Sequence, residues 1–220
     1  MGEEGPARGT RRRGQTRRRL LDASFEVFAE LGYGSASVEK IVERAGFTRG
    51  AFYSNFGSLE ELFLAMWEDR SAAMIGAIGT ALEQAAVSEP VGVDDVVEQI
   101  LAMVPIDARW FGISAEFTAH ALRDPALRTV IAQREAAIAD ALLPMVVELL
   151  GYLGRVIPDP DAFVQAIIAV HDGTMMQVLL DDDLGPALRR RADLFRHVVL
   201  AYSDVAERGS PAAMRETDRK

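Results

Sequence analysis

The chain has 220 residues, of which 49% are hydrophobic and 26% charged, the balance of a globular protein rather than a disordered one. It contains no cysteine, which excludes disulfides and Cys-based zinc sites. The net charge of −9 conceals an asymmetry: residues 1–56 carry 10 Lys/Arg against 7 Asp/Glu, and the remainder carries 14 against 26, so a basic head is joined to an acidic body.

Residues 1–13 are rich in Gly, Arg and Glu, lack an apolar pattern, and are expected to form a disordered basic arm. Arg11–Arg13 and Arg17–Arg19 are basic clusters suited to DNA phosphates or a minor groove. A first helix is predicted from Gln15 to Leu31, with Leu20, Ser24, Val27, Phe28 and Leu31 on its inner stripe and Gly32 as a left-handed cap. Ser37 can cap a second helix, in which Val38, Ile41, Val42 and Ala45 recur at helical spacing before Gly46 breaks it. Thr48 can cap a third, short helix whose apolar anchors are Ala51, Phe52 and Phe56, leaving Arg49, Tyr53 and Asn55 on other faces. Ser58-Leu59-Glu60-Glu61 then reads as a capping box opening the next helix. Two helices joined by a tight Gly-containing turn make a helix-turn-helix, a unit that lays its second helix in the DNA major groove.

The fourth helix is expected from Ser58 into the 80s, followed by the loop Ser88-Glu89-Pro90-Val91-Gly92. Further helices are expected over about 94–104, 107–123, 124–153, 159–181 and 185–207, with Asp124-Pro125 and Asp159-Pro160 as starts and Pro144 as a kink in the seventh. There is no strand pattern. The predicted fold is all-α, with a three-helix head in about nine helices. Its divisions are an arm (1–13), a DNA-binding domain (14–60), a ligand-binding and dimerisation domain (61–208) and a disordered tail (209–220). No apolar run approaches ~18 residues and no apolar signal core is present, so a cytoplasmic protein without a membrane span is expected.

The stretch from Leu21 to Phe63 resembles the DNA-binding domain of TetR-family transcriptional regulators. The residues that carry the resemblance are Ala23, Phe28, Gly32, Ile41, Ala45, Gly46, Tyr53, Phe56, Glu61 and Leu62. It implies a homodimer bound to a near-palindromic double-stranded DNA operator, most simply as a repressor, with the fourth helix transmitting ligand binding to the head. Arg49 is the candidate base reader, because a guanidinium can pair with guanine O6 and N7. Gly50 allows close backbone approach. Thr48, Tyr53 and Asn55 match family positions that hold phosphates or bases, Ser37 can direct its hydroxyl and backbone N–H groups to a phosphate, and Arg17 and Arg18 extend the basic surface. One departure is that the lysines many relatives carry at the places of Gly57 and Leu59 are missing, which removes one or two phosphate contacts.

Beyond the head, Trp67, Met74, Met103, Trp110, Phe111, Phe117 and Met175 suggest an apolar pocket for a hydrophobic small molecule, with His120 and His171 as polar wall candidates. Ala166, Ala169 and Gly173 form a stripe of small residues on the eighth helix. The ninth carries two apolar stripes, one through Phe195, Val199 and Tyr202 and one through Leu194, Val198, Ala201 and Val205, so it needs two neighbours. The first of these stripes and the small residues are assigned to the dimer interface. Three histidines without cysteine give no metal-ligand spacing, and neither a phosphate loop nor a nucleophile elbow is present, so no cofactor, metal or enzymatic activity is expected. The alternative to a regulator is a helical small-molecule-binding protein without specific operator binding.

Overall fold

In a computed structural model of the chain, the backbone is described for residues 6–87 and 92–206, and side chains for residues 12–80, 92–102 and 104–206. The proposed tail, the loop 88–91, the first five residues of the arm and the side chain of Met103 lie outside that description. The helices are α1 (Pro6–Leu31), α2 (Val38–Ala45), α3 (Arg49–Tyr53), α4 (Leu59–Val87), α5 (Val93–Met103), α6 (Ala108–Ala121), α7 (Pro125–Tyr152), α8 (Pro160–Leu180) and α9 (Leu184–Ala201). The all-α expectation holds.

Two boundaries differ from expectation. Helix α1 begins at Pro6, so residues 6–13 belong to a helix rather than to an unstructured arm. Pro at the first helical position loses no hydrogen bond, and the Arg-rich run that follows has good helix propensity. Helix α9 stops at Ala201 rather than near Glu207, because the chain turns into a short antiparallel ribbon, β1 (Arg155–Val156) with β2 (Asp204–Val205). Two residues per strand are too few to show alternation in a sequence. Helix α8 is also long and apolar enough to cross a membrane by length and composition. The helix is apolar through its Ala, Val and Ile residues, yet Phe163, Thr174, Met175 and Val178 are buried against protein while Asp172 and Gly173 are exposed.

The described chain forms two compact units. The first comprises residues up to Gly76 together with Pro105–Ile138, and the second Ala77–Val104 together with the chain from Ala139. The division therefore falls inside α4 and α7, not at residue 60.

In the first unit, Leu20, Val27, Phe28, Ile41, Phe52, Phe56, Leu62 and Phe63 form a core that also takes in Ile113, Phe117 and Ala121 of α6. Phe117 is fully buried and stacks on Phe63 at 3.8 Å between ring centroids, with Tyr33 edge-on to it at 5.0 Å. The Glu116 carboxylate accepts the Tyr33 backbone N–H at 2.6 Å. Gly32 has φ +77°, a backbone conformation that favours glycine, and the Glu116 carboxylate lies against the space a Cβ would take. The guanidinium of Arg70, ion-paired with Asp107, lies 4.8 Å from the Phe25 and Trp110 rings. Helix α6 is thus part of the head's core.

In the second unit, Val97, Leu150, Phe163, Phe195 and Val199 form the core. Arg191 is buried between α8 and α9 and donates to the Thr174 hydroxyl at 2.7 Å and the His171 carbonyl at 3.2 Å. Its second amino group lies 3.0 Å from His171 Nδ1. Burial first, and then the Arg191 charge, push the His171 imidazole down to about 4.

Candidate nucleic-acid interface

The helix-turn-helix is closed at each junction by a local hydrogen bond. The Ser37 hydroxyl accepts the Lys40 N–H at 3.4 Å, which starts α2. Gly46 ends it in the left-handed region, φ 70° and ψ 36°, with Phe47 N–H on the Val42 carbonyl at 2.8 Å and Gly46 N–H on that of Glu43 at 3.2 Å. That pair of bonds is a Schellman cap. The Thr48 hydroxyl then accepts the Ala51 N–H at 3.2 Å and starts α3. After α3, the Ser58 hydroxyl accepts the Glu61 N–H at 3.1 Å, the N-cap half of the expected capping box, while the Glu61 carboxylate reaches one residue further back and accepts the Gly57 N–H at 2.6 Å. Each cap is worth about 1 kcal/mol, enough in total to fix a five-residue helix that could not stand alone.

Those caps decide what α3 leaves outside. Phe52 is fully buried, which turns Arg49, Gly50 and Tyr53 to solvent. Arg49 Nη1 pairs with Glu39 Oε1 at 2.9 Å, and the guanidinium lies 6.0 Å from the Tyr53 ring. Hydrogen bonding to Tyr53, then the Glu39 charge, raise the Arg49 pKa further above its already high value. Tyr53 is 51% exposed, although its ring meets Phe52 edge-on at 5.3 Å. A Cβ at Gly50 would meet only the Thr48 hydroxyl at 3.7 Å, so nothing within the protein demands glycine there.

Two predicted contact residues are otherwise engaged. Asn55 donates its amide to the Ala51 carbonyl at 2.8 Å and to the Ser54 hydroxyl at 3.2 Å, and its carbonyl oxygen is buried. It terminates α3 rather than extending from it. Sequence spacing put Asn55 on an open face because it assumed that the helix continued past Tyr53. The Thr48 hydroxyl likewise serves its own helix, although Thr48 itself remains exposed.

The arginines of α1 lie beside the same unit. Arg13 donates to the Ser54 carbonyl at 3.2 Å, Arg17 lies over the Phe56 ring at 4.9 Å, and Arg19 donates to the Ala45 carbonyl at 2.9 Å over Phe47. Arg12 and Arg18 are exposed. The roles of Arg13 and Arg19 as braces were not legible in the sequence, where one arginine in a run looks like another. Glu39 was missed as well, and its signal is its place two residues after the Ser37 cap.

The proposed pocket residues do not come together in one core. Trp67, Trp110 and Phe117 pack around Phe63 in the first unit, at 5.9, 5.7 and 3.8 Å between ring centroids. Phe111 and Met74 are half-buried in that unit, and His120 is exposed beside Tyr33 at 5.6 Å. His171 and Met175 belong to the second unit, the former beside Arg191 and the latter buried. The aromatic residues are thus spent on the head, because α6 packs on α1 and on the turn at Tyr33.

Of the proposed interface residues, Ala169 and Gly173 are exposed and Ala166 is half-buried, and a Cβ at Gly173 would meet nothing within 4 Å. Tyr202 is partly exposed. Phe195 and Val199, however, are buried in the second unit's own core. The open stripe on α9 is the other one, with Leu194 and Ala201 exposed.

Comparison with known proteins accords with this geometry. Residues 20–66 match the family description "Bacterial regulatory proteins, tetR family", and residues 91–201 match "BetI-type transcriptional repressor, C-terminal". The HTH-type transcriptional repressor AcnR of Corynebacterium diphtheriae is 29% identical over 143 residues, covering 65% of this chain and 69% of that protein. AcnR of Corynebacterium efficiens is 28% identical over 129 residues, 58% of this chain and 62% of its own length. Among solved structures, a TetR-family regulator from Mesorhizobium loti superposes with a TM-score of 0.70 at 19% identity, over 88% of this chain and 99% of that one. With both its head and its body matched, the chain belongs to the TetR family of transcriptional regulators.

Proposed function

We propose that this chain is a homodimeric repressor that binds a near-palindromic operator and releases it when an apolar small molecule binds the body. The observation that carries the DNA part is the solvent-open face of α3. Arg49, Gly50 and Tyr53 are exposed on a helix that is capped at its start and flanked by the exposed arginines of α1. Arg49 reads guanine, while Tyr53, Ser37, Arg17 and Arg18 hold phosphate or sugar and set the register. The dimer would use Ala169 and Gly173 of α8 with Leu194 and Ala201 of α9, an apolar face that the chain leaves open. The effector part rests on the second unit. There Met145 lies over Gly79 of α4, with sulfur 3.5 Å from a Cβ position, and Leu143, Val146, Ile167 and Val170 are half-buried against the unit's core.

The test is selection of bound duplexes from a random double-stranded pool by the wild-type protein and by Arg49→Ala. The expected outcome is a palindromic motif for the wild type, and ~1–3 kcal/mol weaker binding for the variant with relaxed preference at one position per half-site. A wild-type protein that enriches no motif would remove the repressor reading and leave a helical small-molecule-binding protein.

A further inference from the structure

The base-reading arginine is not free in this structure. Its Nη1 is held 2.9 Å from Glu39 Oε1, on the opposite helix of the helix-turn-helix. The Glu39 backbone N–H first, then the Ser37 hydroxyl, and then the Arg49 charge hold the Glu39 carboxylate below the usual carboxylate range. Both side chains are more than half exposed, at 62% and 56%, so the pair contributes little to folding. What it does is choose an orientation. A guanidinium has five N–H donors, so an Nη1 engaged with a carboxylate does not prevent the bidentate contact that guanine O6 and N7 require.

A carboxylate at a phosphate-facing surface is otherwise unexpected. It repels the DNA backbone and weakens binding to every sequence alike. Such a cost is tolerable where it is offset at one base. If Arg49 finds guanine, the ion pair can persist and the carboxylate stays neutralised. At any other base, Arg49 either leaves Glu39 with its charge uncompensated beside phosphate or makes no base contact. Discrimination thus gains from both sides.

We infer that Glu39 is a positioning residue for sequence readout, which holds Arg49 in its guanine-reading orientation and penalises docking on sites without that guanine. This rests on the DNA-binding reading above. It assigns to α2 a share in specificity, a property otherwise credited to α3 alone.

The experiment compares wild type, Glu39→Gln, Glu39→Asp and Arg49→Ala, all as full chains. Each is measured on the duplex that the wild type selects from the random pool, on the same duplex with the Arg49-dependent guanine replaced, and on unselected random duplex. Unchanged circular dichroism and thermal midpoints show that the variants are folded. Glu39→Gln should bind random duplex several-fold more tightly, and its preference for the guanine duplex should fall by ~3–10-fold, part of the discrimination a bidentate contact provides. Glu39→Asp keeps the charge but shortens the reach. It should lose preference similarly while random-duplex affinity stays at the wild-type level. In the Arg49→Ala background, Glu39→Gln should leave the preference unaltered.

Equal shifts on all three duplexes for Glu39→Gln would overturn the inference, because they would show a bulk charge effect and no positioning. Full preference in Glu39→Asp would overturn it too. A wild-type protein that selects no motif would fail the DNA-binding reading itself, a result separable from both.

Discussion

Removing the Phe117 ring should destabilise the head, although Phe117 lies more than 60 residues beyond the helix-turn-helix. The side chain is fully buried, stacks on Phe63 at 3.8 Å and receives the edge of Tyr33 at 5.0 Å. Phe→Ala at such a site typically costs about 3–5 kcal/mol, and the aromatic pairs lie toward the upper part of that range. A loss of about 4 kcal/mol is a large share of a domain's ~5–15 kcal/mol. The chain has two tryptophans, and both Trp67 and Trp110 flank the Phe63 ring, so intrinsic emission reports on this core. At ~1–3 kcal/mol per M of urea, the Phe117→Ala midpoint should move down by about 2 M at the middle of that range. Duplex binding at 37 °C should weaken with it. A tryptophan-detected midpoint within about 0.3 M of wild type would refute the claim that α6 completes the head, since that corresponds to well under 1 kcal/mol.

Gly173→Leu should disrupt self-association, because it places a bulky side chain on a face where a Cβ now meets nothing within 4 Å; sedimentation velocity showing an unchanged dimer would locate the interface elsewhere. Stability should fall as pH drops between about 6.5 and 4. The His171 imidazole is held neutral down to about 4 in the folded chain, whereas the unfolded chain takes up that proton near 6.5, so the unfolded state binds more protons throughout that window. The effect is on the order of 3 kcal/mol at most, and His171→Gln should flatten that slope in urea titrations at several pH values.

The order of the helices was legible because the punctuation of this chain is local. Ser37, Gly46, Thr48, Ser58, Asp124 and Asp159 act within three or four residues of themselves, so their roles survive without knowledge of the fold. The division of the chain was not legible. The sequence suggests a small separate head and assigns Trp110 and Phe117 to a ligand wall, since aromatic residues distant in sequence show no partner. The partner is a turn: Tyr33 presents a backbone N–H to Glu116 and a ring to Phe117. Such a contact, 83 residues apart, has no periodic signature. It follows that Trp110→Ala cannot serve as a clean test of ligand binding, because the ring stacks on Phe63 at 5.7 Å within the head's own core.

The two stripes of α9 show the same limit in another form. Periodicity finds both stripes but does not say which one the chain keeps for itself. The deciding residue is Arg191, which a polarity argument places in solvent. It is instead buried, one turn before Phe195, with its guanidinium bonded to Thr174 and His171 of α8 and lying 5.0 Å from the Phe195 ring. An arginine can be buried at tolerable cost only where its donors meet acceptors, and α8 supplies them. That requirement fixes the rotation of α9, which sends Phe195 and Val199 inward and leaves Leu194 and Ala201 outside. Substitution at Phe195 therefore perturbs folding before it can report on assembly. The informative positions for a partner lie on the open stripe.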